Sequence, residues 1–197
     1  MQVKSFTRTL SLISALAVAP VFAVAASPKE CQPGPPTAES YQWNFQREAS
    51  QLLQGIQEDA MNAQDHANLL ENFDTNLSVS WRSHASELTA IKHEVNDMGQ
   101  KLCRLETIRT ALAPWQQKAV DRVAPDVRLM ADNVQDAILF LDHNQNTLWL
   151  PTYRKYAKNL YQEASTLSQS VKSYEEYAKA HREDLNLGKQ LGLSQGM

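Results

Sequence analysis

Between Trp81 and Leu112 the apolar residues Trp81, Ala85, Leu88, Ile91, Val95, Met98, Leu102, Leu105, Ile108 and Leu112 recur in steps of three and four. Spacing of that kind draws one unbroken stripe along one face of a helix. A helix with such a stripe must be covered by others, and three further segments read the same way. Before it, Phe45, Ala49, Leu52, Ile56, Ala60, Ala63, Ala67 and Leu70 keep phase. After it, Trp115, Ala119, Val123, Val127, Met130, Val134, Ala137 or Ile138, and Leu141 form a third stripe, and Tyr153, Ala157, Leu160, Ala164, Leu167, Val171, Tyr174 and Ala178 form a fourth.

The connections between these segments are short, which makes neighbours antiparallel. The sequence therefore predicts an all-α protein: an antiparallel up-down-up-down four-helix bundle with helices over 40–73, 80–112, 114–143 and 151–184. Ser78 or Ser80 is placed to cap the second helix through its side-chain oxygen. Pro114 ends that helix and suits the first turn of the third, and Pro125 predicts a kink because the stripe keeps phase on both sides of it. Residues 26–39 hold Pro28, Pro33, Pro35 and Pro36 and are expected to form an extended tail. A flexible C-terminal tail is expected over 185–197, where Gly188, Gly192 and Gly196 fall. The phase of the stripe nearly survives Pro114, so the competing architecture is a longer, partly continuous second and third helix in an elongated coiled coil or a dimeric one, the latter a homodimer.

Trp81, Trp115 and Trp149 are 34 residues apart, the period of a tetratricopeptide repeat. Here each period holds one helix rather than two, so the tryptophans, with Trp43, are read as aromatic caps at helix starts.

The N-terminus reads as an export signal over 1–25. Lys4 and Arg8 precede an apolar run from Leu10 to Val24, and Ala23-Val24-Ala25 supplies the small-x-small pattern for cleavage after Ala25. The run is short for a spanning anchor and is interrupted by Pro20. A periplasmic or secreted destination follows. Cleavage removes 25 of 197 residues and two positive charges, which leaves 172 residues and moves the formal net charge from −3 to −5. A mildly acidic chain without a basic run argues against nucleic acid as the partner.

Cys31 and Cys103 are the two cysteines, and in an oxidising compartment an even count points to a disulfide between them. The residues between Cys31 and the first helix span about 30 Å when extended, enough to reach Cys103. The closed loop is worth roughly 3 to 5 kcal/mol in the chain-entropy model. In the expected topology His66, His84 and His143 share one end of the bundle with Asp65, Glu87 and Asp142, a donor set suited to a transition metal. Rim histidines in solvent are the plainer explanation. Helix four opens with Tyr153, Arg154, Lys155, Tyr156 and Lys158, a cationic and aromatic surface able to contact an anionic partner.

Glu-x-x-His, Cys-x-x-Cys-His, Gly-x-Ser-x-Gly and glycine-rich phosphate loops do not occur, so no catalytic residue and no cofactor is assigned. Met61 or Met98 with a histidine could hold haem non-covalently, but methionine on an apolar stripe is ordinarily core filler. Alanines along the first and fourth stripes serve close helix approach or line a lengthwise apolar pocket, and Gly99 serves close packing or bending. The expectation for function is a non-catalytic, exported bundle that binds a protein or envelope component through long helical faces. The alternative is a carrier or sensor that holds an apolar molecule, haem or metal inside the bundle.

Overall fold

The computed structural model describes residues 44–73 and 78–192. The expected export signal over 1–25, the expected extended tail with Cys31, and Trp43 lie outside the described residues. Four helices follow one another: α1 (Phe45–Phe73), α2 (Trp81–Thr107), α3 (Pro114–His143) and α4 (Pro151–Gln190). They pack as a closed ring, α1 and α3 each lying between α2 and α4. The protein is thus an all-α four-helix bundle. Among the described residues no helix is long and apolar enough to cross a membrane.

Each helix ends for a reason that its sequence carries. Asn44 Oδ1 accepts the Arg47 amide at 2.9 Å at the start of α1, and Ser80 Oγ accepts the Ser83 amide at 3.4 Å at the start of α2. The last turn of α2 tightens into a 3₁₀ turn over Arg109–Ala111, so the α-helix stops at Thr107, five residues before the expected 112. The extended backbone that Pro114 demands of Ala113 sets this stop. At the start of α3, Gln116 reaches back to the Ala113 amide at 3.0 Å, and Pro114 contributes no donor to satisfy. The helix runs unbroken through Pro125 to His143.

The expectation for the C-terminus needs correction. Residues 185–190 are not a tail but the last turns of α4, which continues to Gln190. Gly188 is tolerated inside the helix at a cost of about 1 kcal/mol relative to alanine. The true stop is Gly192, whose φ of +68° is open to glycine without strain and lets its amide bond back to the Lys189 carbonyl at 3.3 Å. At 1.5 Å per residue α4 is about 60 Å long against about 43 Å for α1.

The four stripes meet in one core. Leu53, Ile56, Ile91, Met98, Met130, Leu160 and Leu167 are fully buried, and Ala60, Ala63, Ala67 and Ala164 let the backbones of α1 and α4 approach closely. Burial of each large aliphatic side chain is worth about 1.5 to 3 kcal/mol. Polar pairs on the α1/α2 flank set direction and register: Glu48 with Arg104 (2.6 Å), Asp59 with Lys101 (2.5 Å), His66 with Glu87 (2.7 Å). Partner numbers fall on α2 as they rise on α1, as antiparallel neighbours require. Gly55 is the position of close approach on this flank, since a Cβ there would stand 2.8 Å from Lys101 Cε. Gly99 is not: a Cβ there would meet nothing within 4 Å, which removes close packing as its purpose.

Candidate docking groove

The residues chosen from sequence for metal binding do not converge. His66 donates from Nδ1 to Glu87 Oε2, and His143 donates from Nδ1 to the Leu139 carbonyl one turn back, at 2.7 Å in each case. His84 is buried, packed edge-on against Phe73, with Nδ1 3.1 Å from the Tyr153 hydroxyl. Burial lowers its pKa from the ordinary 6.5 and favours the neutral ring. Among the described residues no three His, Cys, Asp or Glu side chains come together as a metal site. The assignment to His66, His84 and His143 is therefore corrected: each histidine serves a separate structural contact.

The surface patch at the start of α4 is corrected too. Tyr153 is 1% exposed and stacks on Phe140, and Tyr156 is half-buried against the same ring. Both sit in phase with Ala157 and Leu160, so their rings turn inward and leave only Arg154, Lys155 and Lys158 on the surface. Cys103 is half-buried on α2. Its expected partner Cys31 lies outside the described residues, so the disulfide is carried forward as a proposal.

Among the described residues two surface hollows bear on function. The smaller, about 360 Å³, lies at the loop end and is walled by Phe73, Trp81, His84, Leu148 and Trp149, with Ser80 and Asn146 at its polar edge. The larger, about 600 Å³, is a groove between α1 and α4 at the opposite end. Its α1 wall is Arg47, Gln51, Gln54 and Gln57; its α4 wall is Lys172, Glu176, Lys179 and Arg182; Glu175, Ala178 and Ser50 complete it, and Trp115 from α3 closes one end.

The groove follows from helical spacing. Arg47, Gln51, Gln54 and Gln57 stand at steps of four, three and three, as do Lys172, Glu176, Lys179 and Arg182. Each set therefore forms one straight row beside its helix's apolar stripe. Two such rows on antiparallel neighbours make facing walls about 15 Å long. The end at Trp115 is held rigidly. Gln116 is 1% exposed and donates from Nε2 to the Gln46 carbonyl (2.8 Å) and to Ser50 Oγ (3.1 Å), which ties α3 diagonally to the first turn of α1.

Charge in the groove opposes that of the molecule. Four cations line it against two glutamates, whereas the chain as a whole carries −3. Lys172 lies 3.9 Å from Glu176, but Arg47, Lys179 and Arg182 form no ion pair among the described residues. Burial, reinforced by Glu58, raises the Glu175 pKa above its ordinary value. The N-termini of α1 and α3 both lie at this end and add partial positive charge. Along the chain these residues show only as a row at helical spacing on α4, Lys172, Glu176, Lys179 and Arg182, with nothing to mark the facing row on α1.

Comparison of the chain with protein-family models, with curated proteins and with solved structures finds no match.

Proposed function

We propose that the protein is an exported, non-catalytic binding protein of the cell envelope, periplasmic or secreted, which engages a partner protein through the α1/α4 face. The observation that carries this reading is the contrast between interior and surface. Large side chains fill the middle of the bundle, while the 600 Å³ groove opens outward between two long helices and ends on a fixed tryptophan. Export is supported by Lys4, Arg8, the Leu10–Val24 run and Ala23-Val24-Ala25. The test is photo-crosslinking in the native cell, with the reactive amino acid placed at Gln54 in the groove or at Asp132 on the exposed side of α3. A defined protein adduct from Gln54 and none from Asp132 is the expected result. No adduct from either position refutes the reading.

The second reading, carriage of a small ligand, draws on the 360 Å³ hollow. Its aromatic walls and the buried His84 suit a compact aromatic molecule better than haem, and the hollow lies at the loop end rather than along the bundle interior. A ligand that co-purifies with the protein and raises its melting temperature would favour it.

A further inference from the structure

The chemistry of the groove narrows the class of partner, provided the reading of the α1/α4 face as a docking surface holds. We propose that the groove receives an acidic segment of the partner protein, one whose carboxylates meet Arg47, Lys179 and Arg182 while an adjoining side chain stacks on Trp115.

Several observations converge on this occupant. Arg47 lines the groove from α1 and Arg182 from α4, so the two cationic residues border one hollow from opposite walls. A guanidinium fork is matched to carboxylate geometry, and three cations without ion pairs among the described residues leave that capacity unused. The walls also carry Gln51, Gln54 and Gln57, which both donate and accept hydrogen bonds, as a peptide backbone requires. Glu175 and Glu176 set a limit at the middle of the groove: a uniformly polyanionic chain such as a sulfated glycan would be repelled there, whereas a peptide can place a neutral residue opposite them. Walls about 15 Å long accommodate four or five extended residues. The projecting end of α4 carries its negative dipole end eight residues beyond Arg182, away from the site.

The probe is a fluorescein-labelled hexapeptide alternating glutamate and tyrosine, with its lysine–tyrosine counterpart and a sulfated oligosaccharide as comparisons. Binding to the mature, oxidised full chain is read by fluorescence anisotropy at low salt. The expected result is binding of the glutamate peptide alone, weakened at least tenfold by the Arg47→Glu, Arg182→Glu double variant and by raised salt. Both positions are exposed, and an unchanged melting curve for the variant confirms that it folds. Trp115→Phe, which keeps a ring, is expected to weaken binding less than the charge reversal does. Equal binding of the glutamate peptide to wild type and double variant overturns the proposal, as does a failure of that peptide to bind. Preferential binding of the sulfated oligosaccharide overturns it in favour of a glycan. A Gln54 adduct that survives the charge reversal would leave the docking surface standing and reject only the acidic partner.

Discussion

Replacing Glu163 by glutamine is expected to stabilise the bundle in a pH-dependent way. Glu163 on α4 faces α3, where its Oε1 accepts from Asn133 Nδ2, while its Oε2 and the Oδ2 of Asp126 are buried without a hydrogen-bond partner among the described residues. Burial first, and the Asp126 charge as a smaller contribution, raise the Glu163 pKa from its ordinary 4.5 to about 7, against the lowering effect of Asn133. The unfolded chain ionises near 4.5 and the folded one near 7, so the unfolded state binds fewer protons between those values. Stability contributed by the protonated group is complete below pH 4.5 and is lost as pH rises to about 7. Taken at face value the loss is about 3 kcal/mol; the side chain is only half-buried, and screening by solvent reduces it to about 1 to 2 kcal/mol. Glutamine keeps an acceptor for Asn133 and offers an amide donor towards Asp126 in place of a charge. Urea denaturation followed by far-UV circular dichroism should place the Glu163→Gln variant level with wild type near pH 4.5 and above it by about 1 to 2 kcal/mol near pH 8. A gap of equal size at both pH values would refute the reasoning, because it would have no source in ionisation.

Gly99→Ala should raise stability by about 0.5 to 1 kcal/mol in the same assay, since the new methyl meets open space within a helix; a loss would show a constraint on this residue. His84 is held neutral by burial, so its pKa is lowered and the unfolded state binds the extra proton below pH 6.5. Stability should therefore fall as pH drops through that range, and His84→Gln should flatten the acid limb; an unchanged limb would reject the assignment. The intact protein recovered from an oxidising compartment should have a mass two hydrogens below the reduced chain, reporting one Cys31–Cys103 disulfide, and its reduction should cost about 4 kcal/mol for a loop of that size. Two titratable thiols in the denatured, non-reduced protein would exclude the bond.

Phase along the stripes was the readable part of this fold, and it outranked composition wherever the two disagreed. Tyr153 sits among Arg154, Lys155 and Lys158 and reads as surface by company, yet it leads Ala157 and Leu160 by four and seven residues, and it is buried. His84 leads Leu88 and Ile91 by the same intervals, and its burial against Tyr153 was legible on the same ground. The end of α4 was missed for the opposite reason. Gly188, Gly192 and Gly196 together suggest a tail, but among the described residues only Gly192 takes the positive φ that closes the helix.

The groove was not legible, because it belongs to no single helix. Arg47 and Arg182 are 135 positions apart, and nothing along the chain says that their flanks face each other until the ring order and register of α1 and α4 are known. Closure of the ring turns each helix's stripe inward, so the chemistry offered to a partner falls to the flanking rows and the bundle ends. On the α1/α2 flank the charges are spent on one another, in Glu48–Arg104, Asp59–Lys101 and His66–Glu87, and they fix register. On the α1/α4 flank no such ladder forms: glutamines replace acids on α1, and Arg47, Lys179 and Arg182 stay unpaired among the described residues while alanines hold the two helices together beneath them. One flank of α1 is built to bind its neighbour and the other to leave cations available. That asymmetry is what the proposed docking surface on the α4 side rests on.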